Sequence, residues 1–260
     1  MLATQKSPSL PGTRPEGSRD EREASARVRE MFTHIAPRYD FLNRLLSLSI
    51  DRVWRRRAAR RFAGILGRPD ARILDVCCGT GDLALALQRL RPPATRSGGV
   101  QPIIGSDFVE PMLMRAREKS RTANGSLAFA AADALHLPFN DASFDLVTTA
   151  FGFRNLANYE DGLREFARVL KPGGELGILE FTEPSGPMAG LFRFYFRHIL
   201  PRIGGAISGN SEAYKYLPGS VSKFPSPPAL AALMERTGFA NVRIASWNFG
   251  SVVLHSARKE

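Results

Sequence analysis

The segment Ile73-Leu74-Asp75-Val76-Cys77-Cys78-Gly79-Thr80-Gly81-Asp82 constrains the fold of this chain more than any other. An apolar strand runs into a glycine turn, and the turn runs into the helical pattern Leu83-Ala84-Leu85-Ala86-Leu87. That order sets backbone N–H groups and a helix start at the C-terminal edge of a sheet, where open α/β folds bind nucleotide-like ligands. The segment sets an α/β class and points to a cofactor, without saying which.

The pattern around it supports a doubly wound sheet. Strand-like apolar runs fall at residues 72–77, 102–106, 127–131, 144–149 and 175–181. Helical patterns fill the gaps, among them residues 111–119 and 159–170, as in a series of βαβ units. Lys171-Pro172-Gly173-Gly174 ends a helix and turns into the fifth strand. Residues 184–225 interrupt the alternation with an aromatic-rich helix candidate at 191–200 and a Gly/Ser/Tyr-rich segment. A helix near 228–237 and two strands near 242–247 and 251–257, joined at Gly250, predict a closing hairpin. Ahead of the sheet, residues 25–66 read as helical. Val28, Met31, Phe32 and Ile35 hold helical spacing up to Pro37, Phe41 opens a second run, and Asp51 is placed to cap a third. Residues 1–24 mix Pro, Ser, Gly and charge and read as a disordered tail, neither signal peptide nor anchor. The expected organisation is therefore a tail at 1–24, a helical lid at 25–66, and one domain at 67–260 carrying the insert 184–225.

Composition narrows the class. No run approaches the roughly 18 apolar residues that a spanning helix needs. The two cysteines are adjacent, so neither a disulfide framework nor a zinc site is expected, and the chain reads as intracellular with no metal. The formal charge is +11. Arg52, Arg55, Arg56, Arg57, Arg60 and Arg61 stand together with no acid among them. Such a patch suits an anionic surface, lipid or nucleic acid, or is simply a solvated helix face.

Residues 79–84 satisfy the dinucleotide pattern GxGxx(G/A), but a ribose-binding acid is wanted about 20 residues on. Asp107 is the candidate, at the end of the second strand. A wider match runs over four strand ends. From Asp75 on, the chain resembles the class I S-adenosylmethionine-dependent methyltransferases. The acid and glycine turn at 75–81 fit their first motif. Asp107 follows strand two, Asp133-Ala134 follow strand three, and Ala150-Phe151-Gly152 follow strand four. The resemblance implies a seven-stranded, mostly parallel Rossmann-like sheet. It implies S-adenosyl-L-methionine held by Asp75, Gly79, Thr80, Gly81, Asp107, Phe108, Met112, Asp133, Ala134 and Phe151. Asp107 would take the ribose hydroxyls, and Asp133 with the next N–H the adenine edge. Cys77 departs from the pattern, which has glycine there.

Three further segments narrow the resemblance to the ubiquinone/menaquinone biosynthesis C-methyltransferases. They are residues 32–47, Phe151-Gly152-Phe153-Arg154-Asn155, and residues 200–221 with Tyr214-Lys215-Tyr216-Leu217-Pro218-Gly219. The family commonly has serine where this chain has Ala150. The implied reaction is methylation of a polyprenyl quinol ring carbon, of demethylmenaquinol, a benzoquinol or both. It needs the reduced ring and depends on positioning and charge. Arg154 cannot be a base; the expectation is that it stabilises the phenolate directly or polarises a water, while Asn155 orients the quinol oxygen. Arg154→Ala would then abolish transfer and spare cofactor affinity. His34, Tyr39 and Asp40 lie on the lid, with His34 as a candidate base and Tyr39 stacking on the ring or bonding to it. Leu191, Phe192, Phe194, Tyr195 and Phe196 would line a prenyl groove, touch a membrane, or pack on the sheet.

With the arginine patch these aromatics imply peripheral attachment to the anionic inner face of the cell membrane from the cytoplasm. No nucleic-acid partner is expected, because residues 151–155 replace the Asn/Asp-Pro-Pro-aromatic motif of amino-directed nucleic-acid enzymes. A homodimer stays open. Another small-molecule O- or N-methyltransferase is the nearest alternative, and a dehydrogenase the most distant.

Overall fold

The computed structural model describes residues 12–15, 17–93, 99–121, 127–184, 190, 194 and 211–260. Four helices lead. α1 (Glu21–Ile35) passes through a 3-10 turn at Ala36–Arg38 into α2 (Tyr39–Leu46), followed by α3 (Asp51–Arg61) and α4 (Ala63–Leu66). Strands and helices then alternate as β1 (Ile73–Val76), α5 (Asp82–Gln88), β2 (Ile103–Asp107), α6 (Glu110–Arg121), β3 (Leu127–Ala131) and β4 (Phe144–Ala150). A 3-10 turn at Phe153–Asn155 leads to α7 (Tyr159–Val169) and β5 (Leu170–Phe181). The chain closes with α8 (Ser211–Lys223), α9 (Pro227–Arg236), β6 (Phe239–Trp247) and β7 (Val252–Lys259).

The strands form one seven-stranded sheet in the order β3-β2-β1-β4-β5-β7-β6. The first five pair in parallel, and β7 is antiparallel to both β5 and β6. β1 is central: Ile73 pairs with Ile103 on one side and Leu146 on the other. Its four residues are all buried, as expected of a strand covered on both faces. The chain leaves β1 toward β2 and later returns to β4 on the opposite side. A crevice opens at the C-terminal ends where the order reverses. Leu74, Val147, Phe153, Tyr159, Phe166 and Leu176 fill the core on one face, and Phe62, Leu66, Leu83, Leu87 and Ile103 on the other.

The expected α/β order and closing hairpin hold, with four local differences. Gly12 and Thr13 already pack on the domain, with Gly12 N donating to Ala157 O at 3.0 Å. Thr13 Oγ1 lies 2.5 Å from Tyr159 Oη, and Asp20 caps α1 by accepting from Glu23 N at 2.8 Å, so the helix starts at Glu21 inside the stretch read as a tail. Asp51 does not cap α3 but sits in its first turn, where it accepts from Ser47 Oγ at 2.9 Å and pairs with Arg55. Lys171–Gly174 read as a turn before β5. They lie within it, as a bulge between the pairs Phe144↔Leu170 and Leu146↔Glu175. The Gly/Ser/Tyr-rich part of the insert is helical over Ser211–Lys223 despite Pro218 inside it. Of the aromatic insert, Leu191, Phe192, Tyr195 and Phe196 lie outside the described residues, and Phe194 is exposed.

Candidate cofactor and acceptor site

The turn after β1 is built from left-handed backbone. Cys77, Gly79 and Gly81 have φ of 53°, 54° and 81°. Gly81 N donates to Cys78 O at 2.9 Å and Cys78 N to Ser106 O at 3.0 Å, which fixes the turn against β2. A side chain at Gly81 would come within 3.3 Å of Ala116 Cβ and 3.5 Å of Phe129, so the turn lies close on α6 and β3. Desolvation raises both thiols well above their ordinary pKa, which makes them poor nucleophiles.

The turn, the strand ends and the lid enclose a cleft of about 920 Å³, counting its open mouth. Every residue expected to bind cofactor lines it except Gly81, which shapes the turn from behind. Asp107 accepts from Gly79 N at 2.8 Å on Oδ2 and from Val109 N at 2.9 Å on Oδ1, and each oxygen keeps a lone pair for a hydroxyl. Burial lifts its carboxyl to about 6, against the pull of those N–H groups. Asp75 is buried, with Oδ1 accepting from Thr148 Oγ1 at 2.9 Å and Oδ2 without a partner. Burial lifts this carboxyl to about 7. Asp133 accepts from Leu135 N at 3.0 Å and bends the chain back so that His136 N reaches its carbonyl. Ala150 presents a methyl to the cleft, so no hydroxyl contact arises there.

The lid is tied to this turn. Tyr39 stands beside Gly79, and Thr80 Oγ1 donates to Asp40 Oδ1 at 2.6 Å. Lys119 joins them from α6, reaching Asp40 and Thr80 at 3.0 Å and Asp82 at 2.5 Å. Thr80 therefore spends its hydroxyl on the lid. Ile35, Leu42, Val109 and Met112 pack beneath it.

The acceptor end differs from expectation. Asn155 lines the cleft and accepts from Tyr216 Oη at 3.2 Å. Arg154 does not line it. Its side chain is buried, pairs with Glu180 at 2.9 Å, and donates to the carbonyl of Phe151. Its own N–H donates to Glu180 Oε2 at 3.1 Å. The guanidinium is thus engaged by Glu180 and the Phe151 carbonyl behind the turn that lines the cleft. His34 is not brought in either: it is exposed on α1, its Nδ1 lies 2.8 Å from Glu30 O, and it does not line the cleft. Phe151 adopts φ of 60° and packs on Phe181 with ring centres 4.5 Å apart. Glu180 was missed, although a carboxylate inside an apolar strand run is a visible signal. In sequence Arg55 belongs to the arginine patch at residues 52–61. It points inward and lines the cleft.

The orphaned Asp75 oxygen, the free lone pairs of Asp107, and a cleft of four aspartates fit a cationic nucleoside. A glycine turn on β1 with acids after the next two strands, in this strand order, belongs to the class I S-adenosyl-L-methionine-dependent methyltransferases. Solved structures agree on the fold. A SAM-dependent methyltransferase from Thermotoga maritima matches with TM-score 0.62 at 20% identity, over 89% of this chain and 99% of its own. One from Aquifex aeolicus gives 0.58 at 18%, over 85% and 98%. The chain is 51% identical to a demethylmenaquinone methyltransferase of Deinococcus radiodurans, over 89% of this chain and 92% of that one. It is 50% identical to the one of Thermus thermophilus, over 86% and 98%. It is 43% identical to the ubiquinone/menaquinone biosynthesis C-methyltransferase UbiE of Geobacter sulfurreducens, over 91% and 90%. The chain belongs to the ubiE/COQ5 methyltransferase family, whose model matches residues 20–259. It is an S-adenosyl-L-methionine-dependent C-methyltransferase, and the dinucleotide reading of the glycine turn falls away.

The raised carboxyls give a pH test. Each of Asp75 and Asp107 contributes stability that is complete below the ordinary carboxylate range, near 4, and is lost as pH rises through the folded values of about 7 and about 6. The ligand-free protein should therefore melt lower as pH climbs from about 5 to about 7.5. A bound cation favours the ionised carboxyls, so cofactor affinity should rise over the same interval, with proton release seen by calorimetry in buffers of different ionisation enthalpy. Asp75→Asn should flatten the upper part of both curves; unchanged curves would show that Asp75 does not titrate there.

Proposed function

We propose that this protein methylates a ring carbon of a reduced polyprenyl quinol, with demethylmenaquinol as its acceptor. The observation that carries this is the family membership, together with the naming of the relatives at 51% and 50% identity as demethylmenaquinone methyltransferases. The geometry supports it. S-adenosyl-L-methionine, when bound, supplies an electrophilic methyl on a sulfonium. The residues 151–155 turn brings Phe151 and Asn155 to the cleft beside the β1 turn, opposite Tyr39. Because Tyr216 occupies the Asn155 carbonyl, the Asn155 amide N–H groups are left to donate to a quinol oxygen. Loss of that oxygen's proton to water would spread charge over the oxygen and the ortho ring carbon. The amide would hold the charge on the oxygen, and the carbon would take the methyl as the thioether leaves and the ring C–H proton passes to water. Desolvation raises the Tyr39 phenol above its ordinary range, so it stays a neutral donor and a flat wall for the ring. Arg154 and Glu180 hold the turn from beneath.

The test uses methyl-labelled S-adenosyl-L-methionine with demethylmenaquinol, a polyprenyl benzoquinol, and each oxidised quinone. Label should enter the ring of demethylmenaquinol and neither quinone. Transfer to neither quinol would overturn the assignment. Transfer to the benzoquinol alone would replace the acceptor.

Such acceptors live in membranes, and we infer that the lid edge docks on an anionic leaflet. Among the described residues, no helix is long and apolar enough to cross a membrane. Phe41, Leu45, Leu48, Ile50 and Val53 are exposed along α2, the following loop and α3, and Leu48 is 80% exposed. Arg52, Arg56, Arg57 and Arg60 are exposed on the same α3. Trp54 Nε1 donates to Asn248 Oδ1 at 2.8 Å, which sets the loop bearing exposed Phe249 beside them. Apolar tips flanked by arginines suit insertion below a charged headgroup layer. In liposome flotation, binding should rise with anionic lipid, and Phe41→Glu/Leu48→Glu should reduce it several-fold; binding indifferent to lipid charge would remove the electrostatic part.

A further inference from the structure

We propose that Arg55, on the lid helix α3, binds the carboxylate of the methionine end of S-adenosyl-L-methionine. The inference rests on the cleft being the cofactor site. Among the described residues that line the cleft, the charged ones are Asp75, Asp82, Asp107, Asp133 and Arg55. The acids suit the sulfonium and ammonium of the cofactor. Its carboxylate needs the opposite charge, and Arg55 is the cation that the cleft offers.

Position agrees with charge. Asp133 and Asp107 follow the third and second strands and take the adenosine half, so the amino-acid half lies over the ends of β1 and β4. Arg55 stands there. Its guanidinium lies 5.2 Å from the ring centre of Phe151, which follows β4, and its charge is felt by Asp75 on β1 and by Asp82. The partnerless Oδ2 of Asp75 is on hand for the ammonium, so the two ends of the zwitterion meet opposite charges.

The side chain is also held ready. Asp51, one helical turn earlier, pairs with Arg55 Nη1, and Ser47 Oγ orients Asp51 at 2.9 Å. Among the described residues the hydrogen bonds of Arg55 are confined to Nη1, which leaves the donors on Nη2 and Nε for a carboxylate. Because α3 follows the lid loop, occupancy of the cofactor site would fix the lid from its second end, opposite the Asp40–Thr80–Lys119 tie.

Calorimetry with three ligands tests this. S-adenosylhomocysteine carries the carboxylate, decarboxylated S-adenosylmethionine lacks it, and methylthioadenosine lacks the whole amino-acid end. Arg55→Gln should weaken S-adenosylhomocysteine by at least about 30-fold, leave methylthioadenosine within about twofold, and abolish discrimination against the decarboxylated cofactor. Arg55→Lys should restore part of the loss. Asp51→Asn/Arg55→Gln removes the charge that the single change strands, and should show the same ligand pattern in a stably folded protein. Equal weakening of all three ligands in the double variant would make Arg55 a packing residue. Unchanged S-adenosylhomocysteine affinity with a raised KM for quinol would assign Arg55 to the acceptor instead. Failure of the unmodified protein to bind S-adenosylhomocysteine would sink the cofactor site itself, and this proposal with it.

Discussion

Arg154→Met is expected to abolish methyl transfer, to lower stability by about 3–5 kcal/mol, and to weaken cofactor binding as well. The first two effects follow from burial. Glu180 is 0% and Arg154 7% exposed, so removing the guanidinium strands a carboxylate with no access to water. The third follows from the donation of Arg154 to the Phe151 carbonyl, which holds a residue at φ of 60° against the cleft. Tyr159 Oη adds a bond to the Arg154 carbonyl at 3.0 Å, so the 3-10 turn is pinned from both ends. Arg154→Met/Glu180→Met tests the separation, because replacing both charges with apolar groups often costs little stability. The double variant should fold nearly as well as the unmodified protein in urea titrations and still fail to transfer label. If Arg154→Met folded stably and kept cofactor affinity within about twofold while losing transfer, Arg154 would act on the acceptor directly. Direct action on the phenolate is one of the two roles that the sequence suggests for Arg154, the other being to polarise a water; the ion pair with Glu180 is what favours a positioning role.

Local chemistry was legible in the chain, and pairings across it were not. Asp75 near the end of β1, Asp107 closing β2 and Asp133 after β3 stand at the cleft because strand patterning fixes where each strand ends. Asp51 and Arg55 are four apart on a helix, so their pairing was open to reading, but the face they turn inward depends on what α3 packs against. Trp54 and Ala58 meet Phe151, Leu179 and Val252, and that contact carries Arg55 into the site while leaving its neighbours in solvent. Glu180 lies 26 residues from Arg154, and Lys119 lies 79 from Asp40. No local pattern encodes such pairs; they exist because β4 and β5 are adjacent and the lid folds back on α6. Ser211–Lys223 was hidden for a different reason. Pro218 and Gly219 are poor helix residues, and the helix gains from tertiary contacts instead: Leu217 packs with the lid cluster and Val221 is buried.

Gly152→Ala is expected to remove nearly all activity, and the obstacle is Cys77, the residue that departs from the wider class I pattern. A methyl group at Gly152 would lie 2.4 Å from Cys77 Cβ, 3.3 Å from Cys77 O and 3.4 Å from Thr149 Oγ1. The backbone of Gly152, at φ of −115°, would itself accept alanine, so the penalty is the collision alone. Cys77 has little freedom to move. It holds φ of 53°, where a Cβ already costs roughly 1–2 kcal/mol, and its backbone starts the glycine turn. Overpacking of this kind costs roughly 1–3 kcal/mol in stability. A displacement of about 1 Å at a reacting centre costs on the order of 100-fold in rate. Both partners of the collision line the cleft, one in the turn after β1 and one in the turn after β4. Cys77→Gly/Gly152→Ala removes the colliding Cβ and returns glycine to the left-handed position. It should recover most of the transfer rate and the melting temperature, with a coupling above about 1 kcal/mol in the double-mutant cycle. Additive losses would mean that the two turns do not share this space, and that glycine at 152 answers to the ligand instead. Recovery would show that the cysteine in the cofactor turn is tolerated because the acceptor turn gave up its side chain.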